Sequence, residues 1–251
     1  MSRLLQILTL ILLCTGMAAA QEKTLAIGVA SGFPPYEFTV HGRPAGFDVD
    51  VAGAVAARLG MEARFVQGDW DSVVSMLRIG RIDIIAGMEV NEFRLAYFDF
   101  TAPYSRRHDA VFITANSTAS AVEDLFGRII TGDRHSYVEL LWRKEGILSR
   151  IRVTQTKTKE EAMRLLAEGK TAAAIMPLEV GRYLARESGT DVKVLTVPDP
   201  GSDVAIALRK DQPRLREDMD AALADMRASG ELDALARKWF SPPAPGSPAR
   251  P

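Results

Sequence analysis

The stretch Gly80–Tyr104, GRIDIIAGMEVNEFRLAYFDFTAPY, decides how the chain is read. Ile82, Ile84 and Ile85 form a short apolar run that closes on Ala86-Gly87, the pattern of a buried strand ending in small residues. Glu89 and then Arg94 follow in a segment with no regular periodicity. An arginine delivered just past a buried strand suits a small carboxylate. Its planar guanidinium offers paired donors and stays charged at any working pH.

Outward from this stretch, strand-like and helix-like segments alternate. Thr24–Val29 reads as a strand, Gly32–Pro35 as a turn, and Asp48–Leu59 as a helix with Val51, Val55 and Leu59 on one face and Gly60 to stop it. Ala63–Val66 reads as a strand, Asp71–Arg78 as a helix and Ile82–Ala86 as a strand. This β-α-β-α-β order predicts a mostly parallel sheet covered by helices. A second set begins near Gly127, with strands at Ile129–Thr131, Arg150–Val153, Thr171–Met176 and Val192–Val197. Helices at Tyr137–Lys144, Thr158–Ala167 and Leu178–Arg186 separate them, the middle one opened by Thr158 and Glu161 as a capping box. Asp109–Thr114 is extended and apolar enough to cross between the sets, and Val204–Leu208 to return. Two amphipathic helices end the chain. The fold class is therefore α/β with two lobes, residues 21–112 with 204–241 and residues 113–203, joined by two hinge crossings. A cleft between such lobes is a natural small-ligand site.

The 251 residues carry 31 Lys and Arg against 32 Asp and Glu, a formal net charge of −1 that gives no footprint for nucleic acid. Arg3, the apolar run Leu4–Leu13 and Ala18-Ala19-Ala20 make residues 1–20 a signal peptide cleaved after Ala20, so the expected location is periplasmic. Cys14, the one cysteine, lies in that segment. It follows Leu13 rather than a small residue, which argues against lipidation. The mature chain then has no thiol chemistry and no Cys-based metal site. His41, His108 and His135 lack metal-ligand spacing, and no GxGxxG, P-loop, HExxH or GxSxG pattern appears, so no cofactor and no metal is expected. The Pro-rich residues 242–251 read as a disordered tail.

Several stretches together resemble the type II periplasmic solute-binding proteins of ABC importers, in the branch that takes polar amino acids. They are Leu25–Phe38 (LAIGVASGFPPYEF), Gly46–Gly60 (GFDVDVAGAVAARLG), Asp69–Asp71, Gly80–Tyr104 and Gly230–Phe240 (GELDALARKWF). The resemblance implies a monomeric binding protein that closes on a small polar ligand and presents it to an inner-membrane ABC permease. It places Phe33 and Trp70 as aromatics against the ligand body and Gly87 and Glu89 beside it. Arg94 becomes the grip on the ligand carboxylate, and Ser136 a second donor at a helix start, where backbone N–H groups suit an anion. Ser136 also reads as a simple N-cap, and the two roles are compatible.

The chain departs from that pattern at three positions. Ala30 and Pro177 stand where the family has aspartates for the ligand ammonium, and Glu89 stands where it has a serine or threonine. Glu89 has two readings: a relocated partner for a ligand cation, or a partner for Arg94 in the empty site. In the run Arg106-Arg107-His108 and at Arg134, Arg107 and Arg134 read as solvated surface charge. Two other function classes share the resemblance. One is an exported cyclohexadienyl-dehydratase-like enzyme using Glu179 or Glu89 as general acid on prephenate or arogenate, and the other is a ligand-sensing accessory protein.

Overall fold

The structure is a computed structural model that describes residues 23–134 and 136–241; the expected signal peptide, the tail at 242–251 and His135 lie outside the described residues. Two mixed sheets organise it. The first runs in the spatial order Met61–Gly68, Lys23–Ala30, Ile84–Glu89, Ser202–Arg209, Phe98–Phe100, with Ser105–Arg107 also paired to Ser202–Arg209. Its first three strands are parallel, as the β-α-β-α-β order requires. The return strand Ser202–Arg209 is antiparallel to its neighbours.

The second sheet runs Arg152–Thr154, Ile129–Thr131, Ala173–Pro177, Asp109–Thr114, Val192–Leu195. Here too the early pairs are parallel, and Asp109–Thr114 is antiparallel to both neighbours. All of Asp109–Thr114 pairs within the second sheet and all of Ser202–Arg209 within the first. The chain therefore changes sheets at His108 and returns between Leu195 and Ser202. His108 is tied there by its carbonyl, which accepts the Leu178 N–H at 2.8 Å.

Of Gly32–Pro35, expected as a plain turn, Pro34 and Pro35 do turn, while Gly32–Phe33 joins Glu37–Val40 and Arg43–Ala45 in a three-stranded sheet. This small sheet reaches the other lobe: Phe38 packs against Tyr183 of helix Leu178–Glu187 with ring centroids 5.6 Å apart. One apolar cluster consequently runs through both lobes, from Leu25, Ile27 and Val51 to Phe112, Met176 and Val180. The last helix, Glu231–Phe240, docks back onto helix Phe47–Arg58. Trp239 Nε1 donates to Asp50 at 2.7 Å, and Phe240 packs on Phe47 at 4.8 Å.

Candidate functional site

The strand after Arg81 starts at Ile84 and continues to Glu89, because Val204 and Ala205 of the return strand pair with Glu89 and Met88. Glu89 is thus a strand residue. Arg94 sits in a one-turn helix, Glu92–Leu95, whose start is capped by the Asn91 side chain accepting the Arg94 N–H at 2.9 Å. From there Arg94 folds back over the strand end. Its Nη1 donates to the Glu89 carbonyl at 2.7 Å, and its guanidinium carbon lies 5.5 Å from the Trp70 ring centroid. Among the described residues it makes no ion pair, neither with Glu92 or Asp99 nor with the Glu89 carboxylate. Burial pulls the guanidinium below the usual arginine range, Glu89 opposes that and Arg107 adds to it.

Behind this surface lies a buried charged cluster. Arg107 is 6% exposed, so the solvated surface charge expected from Arg106-Arg107-His108 is incorrect for Arg107. Within strand Ser105–Arg107 alternate side chains point to opposite faces. Arg106 turns outward to pair with Asp203 at 2.6 Å, and Arg107 turns inward. Arg107 pairs with Asp48, donates to the Gly87 carbonyl at 2.8 Å and reaches the Glu89 carboxylate only at 3.9 Å. Its guanidinium lies 4.3 Å from the Tyr36 ring centroid and 5.1 Å from that of Phe33. Desolvation acts to lower its pKa, yet the combined pull of Asp48, Tyr36 and Glu89 holds it above the usual arginine range.

Asp48 and Glu37 share this interior. The Tyr104 hydroxyl donates to Asp48 Oδ1 at 2.7 Å and accepts the Gly87 N–H at 2.8 Å. Glu37 accepts the Ala30 N–H and lies against Asp48. Burial, then the Asp48 charge, pushes the Glu37 carboxyl up to about 8. Burial raises Asp48 as well, against the pull of Arg107 and the Tyr104 hydroxyl. The shared proton belongs on Glu37, since Asp48 has both the ion pair and the tyrosine, while Glu37 has one backbone donor. Gly87 makes the arrangement possible: at φ 69° it has no Cβ, and one would overlap both carboxylates.

The second lobe presents the start of helix Tyr137–Lys144. Ser136 is its N-cap, its hydroxyl accepting the Glu139 N–H at 3.1 Å. The next free donor, the Tyr137 N–H, is taken at 2.7 Å by Oδ2 of Asp109, the first residue past the His108 crossing. Burial and then Asp133 raise the Asp109 carboxyl to about 7, the Tyr137 N–H opposes this, and Glu89 and Asp199 add to it. Pro177 is the direct cross-strand partner of Asp109. Glu179, in the first turn of helix Leu178–Glu187, pairs with Arg182 at 2.8 Å. Among the described residues no group of three or more His, Cys, Asp or Glu is placed to hold a metal ion.

Two lobes joined by two passages, with a half-buried arginine at a strand end, invite comparison with known proteins. The profile of the bacterial extracellular solute-binding proteins, family 3, matches residues 25–242. The chain belongs to that family. Among its relatives, the arginine-binding extracellular protein ArtP of Bacillus subtilis (strain 168) is 27% identical over 228 residues, 88% of this chain and 87% of that one. An ancestral arginine-binding protein bound to arginine superposes with a TM-score of 0.76 at 29% identity, covering 88% of this chain and 99% of that one. The ancestral amino acid-binding protein AncCDT-1, a precursor of cyclohexadienyl dehydratase, gives 0.76 at 25% identity, covering 87% and 96%.

Set in this family 3 fold, the expected site residues fall in three places. Trp70, Glu89 and Arg94 come together at the strand end. Phe33 stacks on Tyr36 at 5.6 Å and faces Arg107, while both backbone polar groups of Gly87 are taken by Tyr104 and Arg107. Ser136 lies at the second-lobe helix start with its hydroxyl committed to the cap. Sequence reasoning passed over Glu37, Asp48, Tyr104 and Asp109. The first three carry a signal: acids and a tyrosine embedded in the apolar runs PPYEF, GFDVD and TAPY.

Proposed function

We propose that this protein is an exported solute-binding protein that captures a small polar ligand, an amino acid or a related organic acid or amine, between its lobes and delivers it to an ABC permease. The observation that carries the reading is Arg94. A half-buried guanidinium fixed by a carbonyl and an indole face, with no carboxylate within ion-pair distance among the described residues, is a site held ready for an anion. Trp70 backs the guanidinium and Phe33 lines the neighbouring surface. Glu89 sets preference from beside them, and Ser136 fixes the helix start of the opposing lobe. The passages at His108 and between Leu195 and Ser202 serve as the hinge, and a ligand touching both lobes shifts the population toward closure. The relatives named for arginine and amino-acid binding support the ligand class. The protein acts as a monomer, without cofactor.

The test is a thermal-shift screen of amino acids, organic acids and amines, since a ligand bound only by the native state raises its stability by mass action. At least one carboxylate-bearing compound stabilises the wild type and fails to stabilise Arg94→Ala; stabilisation retained by the variant removes Arg94 from the site. Aromatic product formed from prephenate or arogenate, and lost in Glu179→Gln, would replace the binding role with catalysis.

A further inference from the structure

Asp109 is the counterpart of Arg94 on the other lobe. It begins the strand next to the His108 crossing, and it is partly buried. Its Oδ2 is committed to the Tyr137 N–H, its own N–H donates to Asp199, and its Oδ1 accepts no hydrogen bond among the described residues. No Lys or Arg among the described residues pairs with it: Lys159 is engaged by Asp133 at 2.5 Å, and Arg106 by Asp203. Its electrostatic neighbours are instead other acids, Asp133, Glu89 and Asp199. Glu89 among them belongs to the first lobe, at the strand end that holds Arg94.

We infer that Asp109 receives the cationic group of the ligand, with Glu89 approaching it from the first lobe, so that the site takes a zwitterion whose carboxylate goes to Arg94. This deepens the reading of Arg94 as an anion grip and rests on it. Among the described residues Arg94 is a half-buried guanidinium without a carboxylate partner, and Asp109 a partly buried carboxyl without a cation. Each lacks what the two ends of an amino acid supply. A partly buried carboxyl among like charges is costly to ionise alone, and an ammonium placed beside it reverses that cost. The elevated Asp109 carboxyl, at about 7, agrees with such a position. The arrangement also accounts for a closed state favoured by ligand, because the ammonium would bridge a carboxylate from each lobe. The Tyr137 N–H then orients Asp109 rather than the ligand carboxylate, since the protein's own acid already fills it.

The experiment pairs each common L-amino acid with its 2-hydroxy acid, which keeps the carboxylate and lacks the ammonium, and measures binding by calorimetry to wild type, Asp109→Asn, Asp109→Ser and Arg94→Ala. Asn and Ser both retain an oxygen for the Tyr137 N–H, so the helix start survives. The wild type is expected to bind at least one amino acid roughly 10-fold or more tighter than its hydroxy acid, a difference of about 1.4 kcal/mol. Both Asp109 variants lose that preference while keeping the hydroxy-acid affinity. Hydroxy acids bound as tightly as amino acids by wild type, no amino acid bound by wild type, or variants that keep the preference would each overturn the assignment of Asp109. Failure of the Arg94 reading shows separately, as amino-acid binding that Arg94→Ala leaves intact.

Discussion

Arg94 and Arg107 belong to the same lobe and carry the same charge, yet the fold holds them in opposite ways. Arg107 is nearly sealed from solvent, paired with Asp48, donating to the Gly87 carbonyl and covered by Tyr36 and Phe33. Arg94 is half-buried, leans on a carbonyl and one face of Trp70, and meets no carboxylate among the described residues. The difference separates structural charge from ligand-directed charge. An interior arginine is tolerated when its partners are built in, whereas one left with neutral partners keeps its Coulomb attraction for something that arrives later.

The comparison breaks first at Arg107. Arg107→Ala leaves Asp48 buried without its ion, and removing one member of a buried pair costs about 3–5 kcal/mol. Urea denaturation should show a loss of that size; a loss below about 1 kcal/mol would mean that the pair contributes little and that Tyr104 alone satisfies Asp48. Arg94→Ala should do the reverse. The fold loses roughly 1 kcal/mol at most, for one carbonyl bond and one cation–π contact. Affinity for a carboxylate ligand falls about 100-fold, the worth of a charge-assisted bidentate pair. Calorimetry and denaturation on the same two variants give a crossed pattern, and parallel losses in both would remove the distinction.

A smaller effect is expected at Glu89. Its carbonyl, which any residue supplies, holds Arg94, and its carboxylate stands 3.9 Å from Arg107 and partly exposed. Glu89→Ser therefore leaves stability within about 0.5 kcal/mol of wild type. Its consequence is on preference: losing the first-lobe carboxylate should weaken cationic amino acids relative to neutral ones in a thermal-shift ranking. An unchanged ranking makes Glu89 a bystander.

The alternation of strands and helices was legible because local periodicity and caps carry it. Helix Tyr137–Lys144 with Ser136 at its cap follows directly from the sequence. The strand expected at Ile82–Ala86 lies instead at Ile84–Glu89, since its extent is set by pairing with Val204 and Ala205, far along the chain. Long-range pairing also hid the site's interior. Arg107 stands in a run that reads as surface charge, and its partner Asp48 is 59 residues away. Alternation along Ser105–Arg107 is the local hint that was available, with one arginine out and one in. Asp109 gave no such hint, because the acids and the helix start that define its surroundings come from three other segments.

The finest test of the buried half lies in its proton. Glu37 has an ordinary carboxyl value of 4.5 when exposed and is held up at about 8 in the fold, by burial and then by Asp48. Between those values the folded chain binds a proton that the unfolded chain has released, so stability is complete below about 4.5 and is lost as pH rises through 8. Asp109, raised from 3.8 to about 7, adds a loss in the same direction at lower pH. The melting temperature of the ligand-free protein should therefore fall between pH 5 and pH 9. Glu37→Gln keeps an acceptor for the Ala30 N–H and an N–H for Asp48 but has no proton to lose. It should match wild type closely at pH 5 and exceed it at pH 9. The slope that remains in this variant below pH 7 belongs to Asp109 together with Asp48, which burial also raises, and Asp109→Asn in the same background should reduce it. If Glu37→Gln instead loses stability equally at both pH values, Glu37 is ionised in the fold, and Arg107 compensates two carboxylates rather than one.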